Sequence, residues 1–173
     1  QVEVQNNEIE RLKARQRDLL ADIDRRVSEL ERRGPAGVPA VSATPAPAAP
    51  VITPQEQKDY DTAFSLMKQG QYDRAAKGFR DFLANYPQSS LRDNARYWLG
   101  EAYYVKRDFR KALAEFTRLM SDHPGHPKAP DAMLKIGYCH YELGEWARAR
   151  ENLNQVVARY PGQPAAKSAE QRL

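Results

Sequence analysis

Small and apolar residues recur three times along residues 54–173, at a constant offset of 37 residues. The three units end in the same kind of residue pair: Tyr86-Pro87, His123-Pro124 and Tyr160-Pro161. Inside each unit an aromatic residue, an alanine and an apolar residue follow in one order: Tyr72, Ala75 and Phe79; Phe109, Ala112 and Phe116; Trp146, Ala149 and Leu153. The spacing of these apolar positions indicates amphipathic helices.

The same pattern predicts three pairs of helices that are separated by short turns. The predicted helices cover about residues 53–69 and 72–85, 91–105 and 109–121, and 130–143 and 146–159. Repeated helix-turn-helix units of about 34 residues, with small residues where the helices touch, are typical of tetratricopeptide arrays. We therefore expect an all-α fold with three tetratricopeptide repeats and a capping helix. The predicted boundaries are about 55–90, 91–127 and 128–164 for the repeats and 165–173 for the cap.

Residues 1–33 contain neither glycine nor proline and follow a heptad pattern, which predicts an N-terminal coiled-coil helix. The predicted oligomerisation seam is Ile9, Leu12, Gln16, Leu19, Ile23, Arg26 and Leu30. Because so polar a helix is marginal in water by itself, we expect its apolar stripe to meet copies of itself. A lone solvated helix and a helix packed on the repeats are the alternatives. Isoleucine and leucine at the two seam positions nominally favour two strands.

Residues 34–54 hold six of the twelve prolines and no charged residue. A segment of this composition does not bury a core, and its prolines favour extended backbone. We therefore expect a disordered Pro/Ala-rich linker between the coil at 1–33 and a tetratricopeptide domain at 55–173.

The charge balance differs between these parts. Residues 1–33 carry eight basic and eight acidic side chains, so the formal net charge of +4 lies on residues 54–173. The charges alternate in sign and form no block of lysine and arginine, which argues against nucleic acid as a partner. No apolar run approaches the roughly 20 residues of a membrane span. The single cysteine excludes an intrachain disulfide.

Few residues are candidates for chemistry. His123 and His126 have a spacing that could place two imidazoles on one metal, but no further ligand lies near them in the sequence. His140 occupies a core position of its repeat, which indicates a packed histidine. Cys139 has no partners for a catalytic triad and is expected to be a buried structural thiol. We expect no catalytic residue, no metal and no cofactor, and therefore no enzyme.

The first helix of each pair is expected to line the inner surface of the stack, where such arrays bind their partners. The predicted partner-binding residues are Tyr60, Phe64 and Met67; Tyr97, Glu101 and Tyr104; and Leu134, Tyr138 and Tyr141. Tyrosine offers a large contact area and a hydroxyl at small entropic cost, as binding surfaces favour. The alternative is that several of these residues pack between repeats. The sequence also predicts a basic rim that would attract an acidic partner, formed by Lys68, Arg96, Lys106 and Lys135. The negative charges of Glu101 and Glu142 oppose this attraction.

The links between the units carry a more specific signal. They include the segments Asn94-Ala95-Arg96-Tyr97-Trp98-Leu99-Gly100, Lys128-Ala129-Pro130-Asp131-Ala132 and Ala166-Lys167-Ser168-Ala169-Glu170. With a coil and a Pro/Ala-rich linker in front of them, these repeats resemble the YbgF/CpoB family. The resemblance implies a periplasmic protein of Gram-negative bacteria that works with the Tol-Pal envelope system. Because members carry a cleaved signal peptide, it also implies that a leader has been removed before Gln1.

The family also implies partners and a function. Its repeat domain is expected to bind TolA, a bifunctional penicillin-binding protein is expected as a further partner, and the coil is expected to form a homotrimer. The trimer differs from the two strands that the seam residues favour. The implied function is a non-enzymatic adaptor that coordinates outer-membrane constriction with septal peptidoglycan synthesis during cell division. The alternatives are a scaffold of an outer-membrane protein assembly complex, which would need a lipid-attachment cysteine near its N-terminus, and a peptidoglycan-acting enzyme, which would need a catalytic set.

Overall fold

The computed structural model describes residues 52–173, which form seven helices and contain no strand. The helices are α1 Pro54–Lys68, α2 Tyr72–Asn85, α3 Arg92–Val105, α4 Phe109–Asp122, α5 Ala129–Glu142, α6 Trp146–Arg159 and α7 Pro164–Glu170. The first six form three pairs, and their ends lie within one residue of the predicted ends. None of these seven helices is long and apolar enough to cross a membrane.

The predicted all-α fold, with three helix pairs and a capping helix, is therefore confirmed for the described residues. Each helix packs against the next one along the chain, as in a stack of repeats. The predicted coil at residues 1–33 and the predicted linker as far as residue 51 lie outside the described residues.

The start of α1 is determined by its own sequence. Thr53 Oγ1 accepts a hydrogen bond from the backbone N–H of Glu56 at 3.2 Å, and the Glu56 carboxylate accepts one from the N–H of Thr53 at 2.8 Å. This reciprocal arrangement is a capping box. Pro54 follows at the first helical turn, where its missing N–H costs nothing. Such a cap stabilises a helix by about 0.5–2 kcal/mol, so α1 begins at a defined residue.

Small residues lie where the two helices of a pair cross. A Cβ added to Gly100 of α3 would lie 2.7 Å from Cε1 of Phe116 on α4. One added to Gly137 of α5 would lie 2.8 Å from Cδ2 of Leu153 on α6. Phe116 and Leu153 are buried, so neither side chain has free space to retreat into. The close approach of the paired helices therefore requires glycine at these two positions.

The turn inside each helix pair has the same backbone conformation in all three repeats. Gly70, Arg107 and Gly144 lie 37 residues apart and have φ values of 73°, 62° and 76°. A left-handed backbone costs a residue with a Cβ about 1–2 kcal/mol, which explains glycine at two of these turns. Arg107 adopts the same conformation with a full side chain, so the second repeat carries local strain.

The short helix α7 covers the end of the last pair. Ala165 and Ala169 are buried in a cluster with Met133 and Leu134 of α5 and with Val156 of α6. Alanine allows the backbone of α7 to approach both helices closely. Without this cover the apolar side of the last pair would face water, which is why repeat arrays need a terminal cap.

Candidate partner-binding face

Three of the nine residues predicted to bind a partner are buried. Met67, Tyr97 and Leu134 are 6%, 6% and 5% exposed and belong to the hydrophobic core. The Tyr97 ring packs against Phe116 at a centroid distance of 5.6 Å. Because their own fold covers them, these three side chains do not offer a surface to another protein. The structure corrects this part of the prediction, and the three residues hold the helix pairs together instead.

Tyr60 lies between the core and the surface. Its half-buried ring meets Phe79 and Phe82 edge to face, at centroid distances of 5.9 and 5.7 Å. Burial raises the pKa of its hydroxyl far above the ordinary value, so the phenol stays neutral. Phe64 stacks on the other side of Tyr60 at 6.2 Å. Tyr60 therefore supports the accessible Phe64 and contributes little contact area of its own.

The other five predicted residues remain accessible to a partner, and the structure brings three further side chains in among them. We call this set of eight residues the inner face: Phe64 of α1; Trp98, Glu101 and Tyr104 of α3; Lys135, Tyr138 and Tyr141 of α5; and Arg172, which follows α7.

Three pairs of inner-face residues, each 34 residues apart, connect α1 to α3, α3 to α5, and α5 to the segment that follows α7. The three pairs are Phe64 with Trp98, Glu101 with Lys135, and Tyr138 with Arg172. In the first pair the ring centroids are 5.0 Å apart, and in the second a lysine Nζ donates to a carboxylate oxygen at 2.9 Å. In the third, the guanidinium carbon lies 5.8 Å from the ring centroid. Equivalent positions are thus occupied by an aromatic, an ionic and a cation–π contact in turn.

Two tyrosines beside these pairs each carry a cation over the ring. Lys135 Nζ lies 4.7 Å from the centroid of Tyr104, and Arg172 Cζ lies 4.2 Å from that of Tyr141. Burial raises the pKa of the Tyr104 hydroxyl, so that group is a neutral donor at physiological pH. Contacts of this kind hold the rings in one orientation, which lowers the entropy lost when a partner binds to them.

An exposed aromatic pair lies at the end of the inner face that belongs to the third repeat. Tyr141 is 36% exposed and Trp146 is 60% exposed, and their rings meet edge to face at a centroid distance of 4.8 Å. Tyr72 and Phe109, the equivalents of Trp146 in the other two repeats, are both half-buried and therefore less exposed than Trp146. Exposed aromatic side chains of this size are typical of residues that anchor a partner.

Arg96 does not belong to the predicted basic rim. It is 4% exposed, and its guanidinium donates to Glu115 of α4 at 3.1 Å and lies 4.0 Å from Asp122. Burial lowers the pKa of Arg96, and the charge of Glu115 offsets part of that effect. The structure therefore corrects the role of Arg96 from partner contact to a link between α3 and α4.

Of the other predicted rim residues only Lys68 keeps its charge available to a partner. Lys106 forms an ion pair with Asp73, and Lys135 is paired within the inner face. Lys68 Nζ lies 5.4 Å from the ring centroid of Phe64, and no carboxylate among residues 52–173 lies within ion-pair distance of it. The rim is therefore much less basic than the count of lysine and arginine suggests.

Sequence reasoning missed Trp98 and Arg172 of the inner face, and also Lys128, which lies beside Trp98. Lys128 Nζ lies 5.3 and 5.7 Å from the ring centroids of Tyr97 and Trp98. Trp98 and Arg172 precede and follow Lys135 by 37 residues, so the repeat offset could have identified both. Lys128 lies in the link before α5, where the sequence carries no comparable periodic signal.

The two histidines of the link have separate partners. His123 Nδ1 lies 2.8 Å from Oδ2 of Asp93, and His126 Nδ1 accepts a hydrogen bond from the backbone N–H of Lys128 at 3.1 Å. Within residues 52–173 no group of three histidine, cysteine or acidic side chains is arranged to hold a metal ion.

His140 and Cys139 are both buried in α5. His140 Nδ1 lies 2.6 Å from Oε2 of Glu145, and this hydrogen bond lowers the pKa of the Glu145 carboxyl. Cys139 is fully buried, and burial raises the pKa of its thiol to about 12. A thiol with that pKa is protonated at neutral pH and is a poor nucleophile.

Comparison with known proteins agrees with this architecture. Residues 60–127 and 100–164 match the model of the tetratricopeptide repeat family, which covers more than half of the chain. This chain belongs to the tetratricopeptide repeat family. Its fold is similar to that of the tetratricopeptide domain of Arabidopsis OM64, with a TM-score of 0.58 at 17% identity over 68% of this chain and 92% of that one. Residues 1–37 match a second family model, described as TolA binding protein trimerisation.

Curated relatives from two bacterial species carry the name Cell division coordinator CpoB. The protein of Pseudomonas putida is 32% identical over 128 residues, which cover 63% of this chain and 47% of the relative. That of Escherichia coli is 39% identical over 59 residues, 34% of this chain and 22% of the relative. The chain thus spans about half the length of the first relative and less of the second. The resemblance to the YbgF/CpoB family, inferred from the repeat links, is confirmed.

Proposed function

We propose that this protein is a non-enzymatic periplasmic adaptor of the Tol-Pal system that binds TolA through the inner face. In this role it coordinates outer-membrane constriction with septal peptidoglycan synthesis during cell division. One observation carries the proposal: a single chain combines a tetratricopeptide domain with a segment that matches the TolA binding protein trimerisation model. The similarity to two proteins named as cell division coordinators supports the same role.

The inner face is suited to such a role because its contacts are already in place without a partner. The ion pair between Glu101 and Lys135 and the cations over Tyr104 and Tyr141 hold these side chains in defined positions. A surface that is ordered before binding loses less conformational entropy when the partner arrives. This preorganisation favours one extended or helical segment that follows the row of first helices.

The proposed division of the chain adds multivalency. A coil at residues 1–33 would hold three copies together, and the linker at 34–54 would give each tetratricopeptide domain its own reach. Linked copies bind a long partner more tightly than one copy, because the first contact raises the local concentration of the others. A bifunctional penicillin-binding protein is proposed as a further partner of the assembly.

Deleting residues 1–33 should convert a trimer into a monomer in analytical ultracentrifugation.

A calorimetric titration of the full chain with the periplasmic helical part of TolA from the same bacterium tests the proposal. We expect saturable binding by the unmodified protein. The double variant Tyr138→Ala with Tyr141→Ala should bind about 30-fold more weakly or worse, since large aromatic residues dominate interfaces. Arg150→Ala on α6 removes an exposed side chain of similar length away from the inner face and serves as the matched control.

Circular dichroism spectra of the three proteins must agree, because a folding defect would also weaken binding. If the unmodified chain gives no heat and no saturation, the protein does not bind this part of TolA and the proposed function is wrong. If the tyrosine variant binds as well as the control, TolA binds elsewhere on the chain.

A further inference from the structure

Two lysines on the inner surface of the repeats differ from the other cations around them. Lys135 has Glu101 at 2.9 Å, and Arg172 has Glu142 at 4.0 Å. Lys68 and Lys128 have no carboxylate within ion-pair distance among residues 52–173. Each of them lies over an aromatic ring instead.

These two lysines lie at the same aromatic pair. Lys68 Nζ is 5.4 Å from the centroid of Phe64, Lys128 Nζ is 5.7 Å from that of Trp98, and the two rings are 5.0 Å apart. Phe64 and Lys68 belong to α1, Trp98 belongs to α3, and Lys128 is the N-cap residue of α5. Both rings are half-buried, so they combine an accessible apolar surface with fixed positions. The rings of Phe64 and Trp98 therefore present an apolar surface with one lysine ammonium, not paired with a carboxylate of residues 52–173, beside each ring.

We propose that Lys68, Phe64, Trp98 and Lys128 bind an acidic segment of a partner protein, with an apolar side chain of that segment on the two rings. Its flanking carboxylates meet the two ammonium groups. The inference rests on the proposed function, since it takes the inner face as part of the partner-binding surface. It adds that Lys68 and Lys128, which lie beside Phe64 and Trp98 of that face, carry the charge recognition.

Charge complementarity selects this occupant. The formal net charge of residues 54–173 is +4, while Lys135 and Arg172, the two cations of the inner face, are already compensated by Glu101 and Glu142. An incoming carboxylate therefore gains most at Lys68 and Lys128. Two isolated lysines beside an aromatic pair suit an acidic peptide better than a nucleic acid, which requires an extended series of phosphate contacts.

Two synthetic helical peptides of equal length test the charge preference. One carries a leucine with glutamates on either side of it, and the other carries lysines in place of those glutamates. The full chain contains two tryptophans, Trp98 and Trp146, so its ¹⁵N-labelled form has two indole signals, which a Trp146→Phe variant assigns. We expect the acidic peptide to shift the Trp98 signal in a saturable way and the basic peptide to leave it unchanged.

The double variant Lys68→Gln with Lys128→Gln should bind the acidic peptide about tenfold more weakly. Raising the salt concentration should weaken binding by the unmodified chain more than binding by this variant. The matched control is Lys77→Gln with Lys111→Gln, because these lysines lie on second helices and are paired with Asp81 and Asp108. The control should bind the acidic peptide as the unmodified chain does.

Equal binding of the two peptides, or equal affinity of the lysine variant and the control, would overturn the inference. Repeating the titration with the periplasmic helical part of TolA separates the two proposals. If TolA binds the unmodified chain and the lysine variant equally, the inference is wrong and the proposed function stands. If TolA fails to bind while the acidic peptide binds through the two lysines, the proposed partner is wrong and the acidic site stands.

Discussion

Replacing Gly100 with alanine tests whether the missing side chain at the α3–α4 crossing controls stability. The added Cβ would lie 2.7, 2.8 and 3.0 Å from Cε1, Cζ and Cδ1 of Phe116. Ordinary contacts between carbon atoms are about 3.5–4.0 Å, so the overlap is roughly 1 Å. Phe116 is fully buried and its ring also packs on Tyr97, which leaves the ring no space into which it can move.

The expected magnitude follows from two opposing effects. Overpacking of a dense core costs about 1–3 kcal/mol. Alanine in place of glycine inside a helix stabilises by about 1 kcal/mol. The net result for Gly100→Ala is a loss of about 0–2 kcal/mol in the free energy of unfolding, with a central value of about 1 kcal/mol. For a domain of this size that corresponds to a fall of roughly 4 °C in Tm.

Urea and thermal unfolding of the full chain, followed by circular dichroism, measure this change. Gly125→Ala is the control, because a Cβ added there meets no atom within 4 Å. Its stability should be unchanged or slightly higher. A second variant, Phe116→Leu, provides a rescue, since a smaller side chain relieves the overlap. In the double variant the two changes should be coupled favourably by about 1 kcal/mol.

A result of the opposite sign would refute this reasoning. If Gly100→Ala stabilises the protein by about 1 kcal/mol, helix propensity alone decides the outcome and the crossing has room for a methyl group. The absence of coupling with Phe116→Leu would likewise show that the two positions are not in steric conflict.

Two further predictions concern the second and third repeats. Arg107→Gly should raise the free energy of unfolding by about 0.5 kcal/mol. Relief of the left-handed backbone contributes about 1–2 kcal/mol, which exceeds the cost of about 0.4–1 kcal/mol from the entropy that glycine adds to the unfolded chain. A loss of stability in urea unfolding would contradict the strain at φ 62°. Cys139, whose thiol pKa is raised to about 12, should react with an aromatic disulfide reagent at pH 8 only as fast as the chain opens, and rapidly in urea, whereas rapid reaction of the native chain would contradict its burial.

The repeat offset predicted the fold well because it acts on every element at once. Because one offset aligns the apolar positions of all three units, a helix boundary assigned in one unit must also fit the other two. The sequence therefore constrains all six paired helices together, and their ends agree with the prediction to within one residue. The same offset also places Arg107 at the strained turn, since it is the equivalent of Gly70 and Gly144.

The binding face was predicted less well, because equivalent positions do not have equivalent neighbours. Phe64, Glu101 and Tyr138 share one register position, and all three remain accessible. Tyr97 also follows the register, but Phe116 and Lys128 cover its ring. The extent of that cover depends on side-chain size and approach angle in the adjoining helices, which a periodic pattern does not contain.

The sequence by itself determined the helix pairs, their turns and the cap, because each depends on local spacing and on residues close in the chain. Only the tertiary structure decided which cations remain available, because an ion pair depends on distances between helices that are tens of residues apart. The sequence pattern alone does not distinguish Lys135 from Lys68. Both lie over an aromatic ring, but packing brings the carboxylate of Glu101 to Lys135 and brings no carboxylate of residues 52–173 within ion-pair distance of Lys68. The proposed site for an acidic partner rests on that difference.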